Sequence, residues 1–273
     1  MSLVSTNPIL ADSVLSGALS PSGALGHSAG VCTVSGIINK TAGCVLLAAI
    51  SGAIAVPVTK AFPAAMWVAF FVSFAISIAA IFLVRRSPRM AASITVLYSV
   101  AQGFMLGALG MLLQGILDTN TIAVPGGIAL QAFVIVVGLM LAMLTLFRTG
   151  VLKGGAMFQS VLSVVTLGIF FMFLISMVMS LVFGASLSWM SMGAAGDTGS
   201  GALIGLGINV VVLIVAALWL IVDFRQVQDA VTAGAPASAE WYLTFGLVVT
   251  LAWVYLEALK LVFRIAMMFG NRK

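Results

Sequence analysis

Two acidic residues, Asp223 and Glu257, stand inside the two apolar stretches nearest the C-terminus. A carboxylate within a membrane segment is costly, so its presence indicates a functional site with a partner group. If the two stretches form consecutive antiparallel helices, the two carboxyls can face each other. Two carboxyls in one low-dielectric site cannot both ionise cheaply, so the pair would share a proton and act as a proton sensor. When both ionise, their oxygens would suit a divalent cation such as Ca²⁺.

The sequence also allows each acid to be paired with a basic residue instead of with the other acid. Glu257, Lys260 and Arg264 are spaced i, i+3 and i+7, so they share one helix face. The acid could therefore be neutralised within its own helix. Asp223 would then mark the cytoplasmic interface beside Arg225. The spacing alone leaves both alternatives open.

The composition determines the class of protein that could hold such acids. The chain has 273 residues, of which 62% are hydrophobic and 7% charged, and its mean hydropathy is +1.25. Soluble domains carry about 25% charged residues, so this is a polytopic membrane protein. The net charge of +5 is therefore no sign of nucleic-acid binding, because Lys and Arg in membrane proteins mark cytoplasmic loops. No HExxH or Walker-type motif is present, and the GxSxG match at Gly26–Gly30 lies in the Gly/Ser-rich tail and not at a predicted strand-to-helix turn. The sequence therefore disfavours an enzyme.

Seven apolar segments are predicted to cross the bilayer as helices. A helix needs about 20 apolar residues to do so. The chain is thus predicted to be all-α, with a flexible N-terminal tail over 1–40 that is rich in Gly, Ser and Pro, and a seven-helix transmembrane domain over 41–273. The predicted spans are about 41–58, 62–84, 91–117, 127–147, 157–183, 203–232 and 240–265.

Small residues recur along one face of two of these spans. Gly103 and Gly107 lie on the third span, and Gly201, Gly205 and Asn209 lie on the sixth, where they share a face with the acid of that span. Small residues let helix backbones approach closely in lipid. We interpret the glycines as packing residues, and the sixth-span stripe as evidence that the acid faces inward.

The basic residues predict the orientation. They concentrate in the loops after the second and fourth spans and at the end of the sixth, at Arg85, Arg86, Arg89, Arg148, Lys153 and Arg225. The positive-inside rule then places the N-terminus in the cytoplasm. The last of these residues is spaced i, i+4 from Asp229, which predicts a local ion pair. Seven full crossings would leave the basic C-terminus outside, against the rule, so the sequence leaves the path of the last helix open.

The C-terminal third resembles a known family. The stretch VDFRQVQDAVTAGAPASAEWYLTFGLVVTLAWVYLEALKLV is similar to the C-terminal signature of the YccA/Bax-inhibitor family, in its bacterial branch. The motifs NPIL, TVSGIINKT and YSVAQGFMLGALG match in the same order. The resemblance implies a central last helix wrapped by the other six. It also implies that Asp223 and Glu257 form the pH sensor of a calcium leak.

The sequence departs from this family at three places. Glu257 stands where relatives carry Asp in YLD, and the connection between the two acids is about ten residues longer than in the better-known branch. Gln102 stands where relatives carry Glu before Gly103. A charge latch made by that acid would be lost here or reduced to a hydrogen bond.

The predicted function is a pH-sensitive calcium leak in the bacterial inner membrane, with no cofactor and the lipid bilayer as its surroundings. Candidate modulators of the acid pair are Gln102, Asn209, Arg225, Asp229, Lys260 and Arg264. The alternative is a non-conducting regulator that binds another membrane protein, such as a membrane-bound protease.

Overall fold

The computed structural model describes residues 30–86, 90–183 and 200–270. Within these ranges seven helices are long and apolar enough to cross a membrane. In chain order they are α1 (Val34–Ala61), α2 (Ala64–Arg86), α3 (Ala91–Thr119), α4 (Gly127–Arg148), α5 (Ala156–Phe183), α6 (Ser200–Thr232) and α7 (Ala239–Phe269). The predicted all-α, polytopic fold is confirmed.

Helix α1 differs most from the predicted spans. It begins at Val34 rather than near residue 41, whereas α2 to α7 begin and end within about four residues of the predicted limits. The reason is an N-cap: the Thr33 hydroxyl accepts a hydrogen bond from the Gly36 amide at 3.0 Å, satisfying a donor that the helix leaves free. Part of the segment predicted as a tail is therefore helix, and residues 1–29 lie outside the described ranges.

Helix α7 is the central element, as the family resemblance implied. It packs against α1, α3, α4 and α6, and it carries two of the largest fully buried side chains, Phe245 and Phe263. Phe263 belongs to a cluster with α3, α4 and α6, whereas Phe245 packs with α2 and α3. Because bilayer lipid is as apolar as these side chains, close packing rather than exclusion from water must hold them together.

Helices α1 and α3 make the closest contact between backbones. Gly103 faces the backbone of Ala48, and Gly107 faces that of Gly52, so a Cβ atom on either α3 glycine would overlap main-chain atoms of α1. Main chain cannot move aside as a flexible side chain can, and the missing side chains therefore let the two helices approach.

Helix α7 crosses the whole bundle. It begins at the same end as α1, where Glu240 contacts Thr33, and it ends beside Ile122 in the connection between α3 and α4. Gly30 and Gly270 consequently lie at opposite ends of the bundle. The last helix therefore runs from one end of the bundle to the other.

The α1–α3 contact predicts contrasting effects for two alanine substitutions on α3. Gly103→Ala should lower the thermal unfolding temperature in detergent, because the new methyl group overlaps the backbone of Ala48. The matched control is Gly115→Ala, since nothing lies within 4 Å of a Cβ atom there. That control should be neutral or stabilising by up to about 1 kcal/mol through helix propensity. Equal unfolding temperatures for the two variants would contradict the packing role of Gly103.

Candidate functional site

Asp223 is buried in α6, on the side that faces α7. Asp223 is only 4% exposed, and the hydroxyl of Thr250 on α7 lies beside its carboxyl. The Oδ2 atom is buried and has no hydrogen-bond partner among the described residues. Buried polar atoms are nearly always hydrogen-bonded, so an orphaned carboxyl oxygen indicates a place for a proton, a water molecule or a cation.

Glu257 on α7 is equally buried, at 2% exposed, but both of its oxygens have partners. Oε1 accepts from the Lys260 Nζ atom at 2.5 Å, and Oε2 accepts from the Asn209 Nδ2 atom at 2.7 Å. Arg264, also buried, interacts electrostatically with the same carboxylate. The pairing within one helix that the spacing allowed is therefore formed, with an amide from α6 added to it.

The structure does not bring Asp223 and Glu257 together, which corrects the predicted shared-proton pair. Asp223 lies nine residues before the end of α6 at Thr232, whereas Glu257 lies eighteen residues after the start of α7 at Ala239. In an antiparallel pair this offset places the two carboxyls about 13 Å apart along the helix axes. The long α7 segment before the YLE motif is the physical reason.

An apolar layer separates the two acids. On α6 it consists of Leu213, Ala216 and Leu220, and Val254 faces them from α7; all four are buried in one cluster. The α6–α7 interface is thus polar at two levels and apolar between them. A charged or hydrated species passing from one level to the other would have to open this layer.

The depth of the two acids follows from helix lengths. The aromatic residue Trp241 stands in the first turn of α7, as expected at a membrane boundary. Asp223 lies about 13 Å inside that end of the bundle and Glu257 about 27 Å, at 1.5 Å per residue. The connection between α4 and α5 reaches the level of Asp223, because Arg225 donates to the Lys153 carbonyl oxygen and Gly154 lies against the main chain of Ile221. Asp223 is therefore near the end of the bundle where α7 begins, and Glu257 lies deeper inside it.

The other predicted modulators lie away from both acids or at the bundle end. Gln102 donates to the Ser77 hydroxyl on α2 at 2.8 Å, so it joins α3 to α2 and not to the α6–α7 interface. Arg225 and Asp229 form the expected ion pair, at 3.1 Å, and Arg225 also donates to the Lys153 carbonyl oxygen at 3.0 Å. Of the two sixth-span glycines, Gly205 is buried and Gly201 half-buried.

Glu240, at the start of α7, is a buried acid that the sequence did not single out. It accepts hydrogen bonds from Thr33 and forms an ion pair with Lys40. These partners are about 200 residues away in the chain, so no local spacing could reveal them. The only sequence signal was an acid in the first turn beside Trp241.

Calcium does not fit as a resident ion bound by both acids, because their separation exceeds the span of one coordination shell, whose oxygens lie at about 2.3–2.6 Å from the ion. Across the described ranges, no three His, Cys, Asp or Glu side chains form a cluster that could hold a metal. The expectation of a calcium site shared by Asp223 and Glu257 is corrected accordingly.

The fold and the buried acids define a polytopic membrane protein with seven spanning helices and ionisable groups at its central helix pair. Within this class, the chain belongs to the Bax inhibitor 1-like family, whose model matches residues 7–267. The family resemblance of the C-terminal signature is thereby confirmed. Comparison with curated proteins and with solved structures gave no match.

The partners of Glu257 predict the result of a double-mutant cycle. Lys260→Gln alone should lower the free energy of unfolding by about 3 kcal/mol, because it leaves a buried carboxylate without its ammonium partner. Adding Glu257→Gln should recover part of this loss, since the buried carboxylate that Lys260 neutralised is gone, although Arg264 then loses its attraction to that carboxylate. The measurement is chemical unfolding in detergent of the wild type, both single variants and the double variant. Additive losses would show that the two side chains are not coupled.

Proposed function

We propose that the protein is a pH-sensitive cation leak, with calcium as the permeant ion, whose path runs between α6 and α7. The proposal is supported by one observation above all: Asp223 is a carboxyl buried between α6 and α7, and its Oδ2 atom has no hydrogen-bond partner among the described residues. Ionisable residues buried between membrane-spanning helices mark ion or proton pathways. The proposal involves transport without catalysis.

In this mechanism Asp223 is the titrating group, whereas Glu257 is held by Lys260 and Asn209. The protonated carboxyl is uncharged and is compatible with a dry, closely packed interface. The ionised carboxylate requires water or a cation, and therefore favours a packing of α6 and α7 in which both can enter. Protonation thus biases two arrangements of one helix pair, as a gate requires.

The apolar layer is the barrier in the closed arrangement. On its far side lies the Glu257 cluster, which consists of Glu257 with Lys260 and Asn209. The Asn209 amide holds Glu257 to α6, while Lys260 holds it within α7. Separation of α6 from α7 must break the amide contact. We infer that this contact is a latch that makes opening cooperative along the interface.

The distribution of basic residues supports an orientation with the N-terminus in the cytoplasm. Arg148, Lys153 and Arg225 lie at the end of the bundle where α1 and α7 begin, as does Lys40. The positive-inside rule assigns that end to the cytoplasm. We propose the bacterial inner membrane as the location, with the end of α7 on the opposite side.

The role of Asp223 predicts the behaviour of Asp223→Asn. In proteoliposomes loaded with a calcium indicator, this variant should show a flux that does not change between pH 6 and pH 8, because the titrating group is gone. The matched control is Asp118→Asn, an exposed acid near the end of α3 whose carboxylate accepts a hydrogen bond from Gln114. A flux in Asp223→Asn that keeps the wild-type pH dependence would exclude Asp223 as the sensor.

The apolar layer predicts opposite outcomes for two neighbouring residues of α6. Leu213→Ser should raise the calcium flux several-fold, because a hydroxyl in the buried layer lowers the cost of admitting water. Ile214→Ser is the control, since Ile214 is 53% exposed on the outer surface of the bundle. The flux assay in the same vesicles decides the outcome. If both variants conduct like the wild type, the path does not pass this layer.

A non-conducting regulator that binds another membrane protein is the competing function. It predicts no calcium flux in vesicles that contain the purified protein alone. It also predicts a stoichiometric partner in native membrane extracts that is lost when residues 1–30 are deleted. Either result, combined with unchanged flux in Leu213→Ser, would favour the regulator over the leak.

A further inference from the structure

The residues before α1 are joined to the connection between α6 and α7. The Cys32 amide donates to the Ala235 carbonyl oxygen at 2.7 Å, and the Ala237 amide donates to the Gly30 carbonyl oxygen at 2.8 Å. We refer to residues 30–33 as the N-terminal strap. These two main-chain bonds place the strap against the connection, next to the first turn of α7.

Glu240 makes the strongest contacts between the strap and α7. Its Oε1 atom accepts from the Thr33 amide at 2.8 Å and from the Thr33 hydroxyl at 3.1 Å, and its Oε2 atom forms an ion pair with Lys40. Glu240 is 5% exposed, so these charge-assisted bonds are made away from bulk water, where they are strong.

The arrangement is a capping box with one residue supplied from another helix. In an ordinary capping box, a Thr N-cap bonds the N3 amide and a Glu at N3 bonds the N-cap amide. Here Thr33 bonds the amide of Gly36 at N3, but Gly36 has no side chain. A Cβ atom on Gly36 would collide with the Glu240 carboxylate. The glycine therefore makes room for a carboxylate from α7, and the cap of α1 becomes a link between two helices.

We propose that Glu240 is a positioning residue, which fixes the start of α7 to the start of α1 and so sets the height of Thr250 beside Asp223. Thr250 lies ten residues further along the same helix, and a continuous helix transmits an axial displacement of its first turn. This inference rests on the proposed leak for its functional consequence, but the link between the helices can be tested without any flux.

The decisive comparison moves the carboxylate from α7 into α1. Glu240→Ala removes the link. The double variant Gly36→Glu/Glu240→Ala restores an ordinary capping box within α1, and it gives Lys40 an acidic partner at i, i+4. The double variant thus recovers the cap and the charge balance without recovering the link. It also guards against a Glu240→Ala variant that fails to fold, because helix α1 is again stabilised.

Cys32 reports on the link directly. Its thiol belongs to a residue only 1% exposed, and burial raises the pKa of that thiol, with the Glu240 carboxylate raising the pKa further. A maleimide reacts with the thiolate, so Cys32 should react slowly while the strap is held. Release should expose the thiol and lower its pKa, and both changes accelerate the reaction. Cys44→Ser removes the other cysteine from every variant.

The expected result is N-ethylmaleimide labelling of Cys32 that is about tenfold faster or more in both Glu240→Ala and the double variant, since each lets the strap open. In the double variant the unfolding temperature should return towards that of the wild type. Calcium flux should be raised in both variants, because the α7 register against Asp223 is no longer held.

Two results would overturn the inference. Wild-type labelling in Glu240→Ala would show that the carboxylate does not hold the strap. Wild-type labelling in the double variant would show that Glu240 only caps α1. If the labelling pattern is as expected but no vesicle conducts calcium, the link stands and the proposed leak fails.

Discussion

The structure depends on the cost of placing polar groups where water cannot reach them. A bilayer offers no solvent to a buried carboxylate, so every acid between the helices must find a partner on another helix or in its own helix. Glu257 has Lys260 and Asn209, and Glu240 has Lys40 and Thr33. These contacts tie α7 to α6 at one level and to α1 at another. Glu257 and Glu240 thus connect α7 to its neighbouring helices.

Asp223 differs from these two acids because its carboxyl group does not have a hydrogen-bond partner for each of its oxygens. One carboxyl oxygen is left without a hydrogen bond among the described residues, and the group beside the carboxyl on α7 is the uncharged hydroxyl of Thr250. A hydrophobic residue of similar size would pack there at a lower cost, because burying an unpaired polar group is unfavourable. The contrast between a satisfied acid and an unsatisfied one, about 13 Å apart on the same interface, supports different roles for the two: Glu257 as a latch and Asp223 as the titrating site.

Close packing elsewhere makes this arrangement stable. The glycines of α3 allow α1 to approach until backbone meets backbone, and both helices then flank α7. Because α1 is held firmly against α3, the link through Glu240 gives α7 a fixed reference point at its start. Its far end carries the Glu257 cluster, whose contact with α6 is a single amide side chain. The start of the helix is therefore the anchored end, and in the proposed leak the movement of α7 against α6 would take place beyond it.

Sequence patterns that depend on neighbours along the chain were sufficient to predict the helices, an ion pair and the family. Long apolar segments predicted seven helices, because hydropathy and helix length respond to the bilayer thickness alone. Helix geometry places residues three or four apart side by side. For that reason the spacing of Glu257 and Lys260 allowed an ion pair between them, and the spacing of Arg225 and Asp229 predicted a second ion pair. The C-terminal signature indicated the family.

Only the tertiary structure decided how the helices stand relative to each other along their axes. The predicted contact between Asp223 and Glu257 required both to lie at one height, and helix periodicity says which face a residue is on but not at what level its partner helix is held. The level of α7 against α6 is set by where α6 ends and where α7 begins. It is also set by the hydrogen bond between Glu240 and Thr33, which are 207 residues apart in the chain. The sequence by itself determined that there are membrane helices with buried acids. The structure determined which acids meet, because axial register between helices is a property of packing and long-range contacts that no local pattern contains.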